Sequence, residues 1–191
     1  MTTDKTAITD DDVVVQDMHG WLERAVIGLN LCPFAKAVHV KQQIHYVVSA
    51  ATTPKDVLED IVRELQELNL ADPEVRSTTL IMAPHCLNDF LEFNDFLADA
   101  DDALFALELD GILQIASFHP DFQFAGTSKT DITNATNRAP YPTLHLLRED
   151  EVDKAVSAFP EAESIFEKNI DTLEALGIDG WKALSVGRSQ P

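Results

Sequence analysis

Apolar residues recur along this chain with two periods, three-to-four and two, and the switches between them predict alternating helices and strands. Val14, Met18, Trp21, Leu22, Ala25, Val26 and Leu29 form one stripe of an opening helix, and Asp10 to Asp12 suit the positive end of its dipole. Gly28 and Asn30 then loosen the backbone, and Pro33 disfavours helix at Cys32. QIHYVVSA at 43–50 is β-branched and aromatic, the signature of a strand. Thr53-Pro54 followed by Asp56 reads as N-cap, first and third positions of a second helix, faced by Val57, Leu58, Ile61, Val62, Leu65 and Leu68. A strand over 77–83 leads to a third helix capped near Asn88 or Asp89, with Phe93, Phe96, Leu97, Ala100 and Leu104 on its inner face. Asp110-Gly111 ends that helix. Strands over 112–118 and 143–148 follow. Two helices close the chain, one carrying Val152, Ala155, Val156 and Phe159, the other opened by Pro160 and stopped at Gly177.

Helical crossovers between the first three strands predict an α/β fold bordering on α+β, with a mixed sheet of about four strands covered by about five helices. With 191 residues and 45% hydrophobic content, the chain can bury a substantial core. A single domain over 11–184 is expected, between flexible tails at 1–10 and 185–191. No apolar run reaches the roughly 18 residues of a membrane span, and the opening residues lack the basic end and apolar run of a signal peptide, so a cytoplasmic protein is expected. Thirty-three acids against fourteen bases give a net charge of −19, which repels nucleic acid and an anionic membrane surface. Cys32 and Cys86 are too few for a disulfide scaffold or a four-thiolate zinc site. Oligomeric state is left open.

Charge is unevenly distributed. Residues 111–148 contain only Asp121 and Asp131 against Lys129, Arg138 and Arg148, and no acid occurs from Arg24 to Lys55. Such stretches are either buried or built to face something anionic. The segment from His119 to Pro142 is also far longer than an ordinary connection, which favours a binding or lid loop. Gln123, Thr127, Asn137, Arg138, Tyr141 and Arg148 are the expected ligand-binding residues, with Arg138 and Arg148 able to fork onto a carboxylate or phosphate. The bland alternative is that these side chains shape turns and pair with surface ions. The two acid-poor stretches are expected to face each other across one neutral-to-positive pocket for a small anionic molecule.

Candidate chemistry lies in the same segments. If a short helix begins at Pro33, Cys32 occupies its N-cap, where the dipole favours thiolate and makes a nucleophile or metal ligand. The alternative is a small buried hydrophobe, and the same choice applies to Cys86 beside His85. His119 and Asp121 end one strand, and His145 lies within the next. Antiparallel pairing of those strands would gather His119, Asp121, His145 and Cys32 as a catalytic set, or as ligands for a divalent metal such as zinc or iron. His145 reads equally as a hydrogen-bonded core histidine. FAGTSKT lacks the features of a phosphate loop, and neither GxGxxG after a strand nor GxSxG occurs.

GLNLCPFA at 28–35, QIASFHPDFQFAG at 114–126 and NRAPYPTLHLLRE at 137–149 resemble the signature segments of an uncharacterised bacterial family, known only as a domain of unknown function. The resemblance covers most of the chain and implies a compact cytosolic domain, with no activity or catalytic residue to carry over. Two functions therefore stand open: an enzyme acting on a small anionic substrate with Cys, His and Asp chemistry, or a non-catalytic regulatory module that binds a metabolite or metal at the same pocket.

Overall fold

The computed structural model describes residues 10–158 and 164–189. Within them the chain forms α1 (Asp10–Trp21), a π-helical continuation (Leu22–Ile27), α2 (Ala35–Val40), β1 (Ile44–Val48), α3 (Pro54–Leu70), β2 (Thr78–Met82), α4 (Phe90–Ala106), β3 (Leu113–Phe118), a 3-10 turn (Ile132–Asn137), β4 (Thr143–Arg148), α5 (Glu149–Ala158) and α6 (Ile165–Ala183). The fold is mixed α/β. The strands make one sheet in the order β1-β2-β4-β3. The α3 crossover leaves β1 and β2 parallel, whereas β4 runs antiparallel to both its neighbours, pairing Leu144 with Ile81 and Leu146 with Ile115. Its insertion between β2 and β3 puts the last strand in the middle of the sheet.

Period-two alternation gives each sheet face its own helices. Ile81, Leu144 and Leu146 face α3 and α4, whose Val57, Ile61, Leu65, Phe93, Phe96 and Ala100 complete one core. Leu80 and Met82 face the other way, against Val14, Met18, Trp21, Leu22, Ala25 and Val26 of α1 and its continuation. The helix starts follow their sequence signals. Thr53 caps α3 by accepting from the Asp56 amide, and the Asp89 carboxylate accepts from the Leu91 and Glu92 amides of α4.

Three expectations are corrected. Helix α2 begins at Ala35 with Phe34 as its N-cap, so Cys32 lies outside the helix and does not cap it. Gly177 does break the helix, with an extended, positive-φ backbone (φ 67°, ψ 174°), but a further helical segment follows the kink and runs to Ala183. Residues 185–189 pack onto the body rather than leaving it at 184: Val186 is buried, and the Arg188 and Ser189 side chains bond to Pro140 and Asp17. Phe159 and Pro160 lie outside the described residues.

Arg148, at the end of β4, is buried, and its Nη2 donates to the carbonyls of Leu68, Ala71 and Arg76. Those acceptors lie at the C-terminal end of α3 and in the connection to β2, where helix carbonyls lack intrahelical partners and carry partial negative charge. The arginine expected to clamp a ligand is therefore a tie between elements. Arg148→Leu should lower stability by about 3 kcal/mol, because buried carbonyls lose their donor. Urea denaturation checks this, with the midpoint falling and the slope unchanged.

Candidate functional site

Helix α1 does not end normally. Its last turns widen into the π-helical Leu22–Ile27, closed by the Gly28 amide reaching the Glu23 carbonyl at 3.0 Å. A Cβ on Gly28 would sit 2.4 Å from the Arg24 carbonyl, so only glycine fits this turn without movement. Such extra-residue turns are frequent at functional sites. Here the turn carries Arg24. Its guanidinium folds back over Gly20, where a Cβ would meet Nη2 at 2.6 Å, and donates to the carbonyls of Leu184 and Ser185.

The opposite wall comes from the C-terminal segment. Arg188 donates from Nε to the Pro140 carbonyl at 2.7 Å and from Nη2 to Asn88 Oδ1 at 2.9 Å, with its guanidinium 4.6 Å above the Tyr141 ring. Between the walls lies a cleft of about 450 Å³ lined by Gln16, Asp17, Arg24, Ser185, Gly187, Arg188 and Ser189. Buried Asp17 forms its floor, accepting from the Tyr141 hydroxyl at 2.7 Å and from the Ser189 amide and hydroxyl at 2.8 and 2.6 Å. Burial, and then the Asp17 carboxylate, push the Tyr141 phenol up and keep it protonated. Among the described residues, neither Arg24 nor Arg188 has a carboxylate within ion-pair distance, whereas Arg63 and Arg76 do. Asn88 and Pro140 place the cleft beside the end of the sheet where β2 finishes and β4 begins.

The sequence-derived set is dispersed. The two acid-poor stretches do meet, since Leu31 shares a cluster with Ala135 and Leu173, and half-buried Cys32 packs beside the cluster of Ala139 and Tyr141. Their junction is apolar. His119 is fully buried against the Phe90 and Phe93 rings of α4. Its Nδ1 accepts from the Asp121 amide, so Nε2 carries the hydrogen donated to the Leu87 carbonyl. Both ring nitrogens are thereby committed, and burial lowers the pKa. His145 lies on the other face of the sheet, beside Phe118. Among the described residues no three His, Cys, Asp or Glu side chains come together to hold a metal ion.

The expected ligand-binding loop bonds to itself. Gln123 donates to the Thr127 carbonyl, and the Thr127 hydroxyl is 2.8 Å from both the Phe124 carbonyl and Asn134 Oδ1. Asn137 donates to the Ser117 carbonyl, and Arg138 to those of Phe122 and Lys129. Of the six residues expected to bind ligand, Tyr141 alone reaches the cleft, through Asp17. Arg24 was visible as a base bounding an acid-free stretch. Asp17 and Arg188 were missed, although an apolar Val186 in a supposed tail was a signal that the tail docks.

A second cleft, about 350 Å³, separates Leu29, Asn30 and Pro33 from Ile165, Lys168, Asn169, Asp171 and Thr172 of α6. It carries one charge of each sign, and its Asn169 amide is bound to the Leu31 carbonyl.

Two titrations test this placement. Thr78 Oγ1 gives its single hydrogen to the Leu146 carbonyl, so at 2.7 Å it accepts from His145 Nε2, while burial pushes His145 down to about 4. The unfolded chain, with histidine near 6.5, then binds the extra proton between those values, and stability falls as pH drops from 6.5 towards 4. In urea titrations His145→Gln should lose about 3 kcal/mol less than the wild type across that window. A thiol assay offers the second test: burial raises Cys86, so in the native protein a disulfide reagent should modify Cys32 first and Cys86 only on unfolding.

No curated protein and no solved structure matches the chain. A family model does, over residues 13–183, taking in most of α1, the whole sheet and all of α6. The chain therefore belongs to the family described as "Protein of unknown function (DUF1415)".

Proposed function

We propose that this protein binds a small carboxylate- or phosphate-bearing molecule in the Arg24–Arg188 cleft, as a non-catalytic module. One observation carries the reading: in a chain with 33 acids, two exposed arginines line one cleft and neither is paired with a carboxylate among the described residues. Each guanidinium spends Nε and Nη2 on oxygen acceptors, and Nη1 makes no hydrogen bond among the described residues. Those bonds fix the plane of each fork in advance, which lowers the entropy lost when an anion is gripped. The acids elsewhere do not forbid this, because at physiological salt their field decays within about 8 Å. A long polyanion would meet them and is disfavoured.

Binding rather than turnover is favoured because the groups able to do acid–base or nucleophilic work are committed elsewhere. Asp17 accepts three hydrogen bonds, His119 uses both ring nitrogens, and His145 and Cys32 line no part of the cleft. A site of this kind suits a sensor that couples ligand to the packing of the C-terminal segment, since both arginines also hold that segment.

Thermal shift with phosphate, pyrophosphate and citrate, at ionic strength matched with chloride, tests the reading. At a hundredfold excess over Kd, a binding anion should stabilise the protein by about 2.7 kcal/mol and raise Tm by about 5 °C or more. Arg24→Gln and Arg188→Gln should each remove most of that shift. No response to any of the three anions, or an equal response in both variants, would overturn it.

A further inference from the structure

At the end of the sheet opposite the cleft, where β2 and β3 begin and β4 finishes, large apolar side chains are left in solvent. Leu70 closes α3 at 85% exposure, Val75 follows in the connection to β2 at 70%, Phe105 ends α4 at 74%, and Ile112 precedes β3 at 48%. Hydrogen bonds tie these pieces together: Arg148 reaches Leu68, Ala71 and Arg76, and the Glu149 amide donates to the Ile112 carbonyl. Helix α5 lies at the same end, held to β2 by the bond between Ser77 and Glu151, and has no buried residue although Val152, Ala155 and Val156 give it an apolar side.

Scattered apolar residues need no explanation, but several gathered at one end of a molecule mark an interaction surface. What surrounds them selects the partner. Asp72 and Glu74, Glu108 and Asp110, and Asp150 and Asp153 are exposed on the same segments. The arginines at this end, Arg76 and Arg148, are turned into the protein, and among the described residues the lysines pair here only with Glu74 and Asp150. A second copy would bring acids against acids, and an anionic membrane surface would be repelled in the same way.

We propose that this apolar, acid-rimmed end docks a basic amphipathic segment of another protein, one whose apolar face is flanked by lysine or arginine. Leu70 and Phe105 supply the buried contact, and Glu108 and Asp110 face the flanking cations.

Fluorescence anisotropy at physiological salt tests this with a labelled leucine–lysine peptide of about 18 residues, long enough for an amphipathic helix, and with a scrambled peptide of the same composition. The amphipathic peptide should bind more tightly than the scrambled one. Phe105→Ser combined with Leu70→Ser should weaken it roughly tenfold or more. Asp110→Lys, which touches no core, should weaken it independently. Leu91→Ser removes an equally exposed leucine at the far end of α4 and should leave binding unchanged. Equal binding of the scrambled peptide, or equal loss with Leu91→Ser, would reduce the effect to bulk charge and overturn the proposal. A dimer in sedimentation that Phe105→Ser abolishes would also overturn it, giving the face to a second copy.

Discussion

Backbone carbonyls hold four of the six arginines of this chain, and most of its irregular structure depends on that arrangement. Arg148 gathers the end of α3 and the start of β2; Arg138 ties two sides of the long loop; Arg24 and Arg188 fasten the C-terminal segment to α1 and to the approach to β4. A guanidinium presents five donors in a plane and can therefore collect acceptors from segments that have no ladder in common. Among the described residues only Arg63 and Arg76 pair with acids, around buried Glu64. A nearby carboxylate would compete with a carbonyl for the same N–H groups and win, since charged acceptors bind more strongly. That competition bears on the acid-poor 111–148 segment, where the carbonyls of Phe122, Lys129 and Pro140 serve as acceptors.

The same arrangement separates structural arginines from available ones. A carbonyl orients a guanidinium without neutralising it, so each of the four keeps its positive charge. Arg148 is buried, and burial also pulls the Arg138 guanidinium downward in pKa while it spans its loop. The Arg148 charge is thereby out of reach of a ligand, whereas Arg138, only half-buried, spends donors inside its own loop. Arg24 and Arg188 make similar bonds at the surface, where the remaining charge faces a cleft. Holding the C-terminal segment and presenting positive charge are thus one act of the same two side chains.

Regular structure was legible because its causes are local. Thr53, Pro54 and Asp56 announce α3 by cap chemistry alone, and the alternation in TLHLLR is enough to make β4 a strand with two different faces. Its central position in the sheet was not legible, since strand order depends on which edges are covered after folding. The candidate site failed for a different reason. Charge patterning located Arg138 and Arg148 correctly as unusual cations, but a backbone carbonyl leaves no mark in a sequence, so their acceptors could not be read. His119 and His145 were misgrouped by a parity effect. They come from adjacent strands, yet the chain turns after Phe118 and carries His119 beneath α4, while His145 stays on the opposite face with Phe118.

Strand β4 also fixes how the two ends of the molecule relate. Six residues of strand span about 20 Å, more than twice the screening length at physiological salt. The cationic cleft beside one end and the acidic, apolar surface at the other are therefore electrostatically independent. Their physical connection is the strand itself. Tyr141, two residues before β4, lies under Arg188 and bonds to Asp17, while Arg148 at its far end holds the α3–β2 connection that carries Val75. Paired along both edges, β4 can shift only by moving its neighbours with it. Any influence of one end on the other must pass through that displacement, which closely packed cores resist.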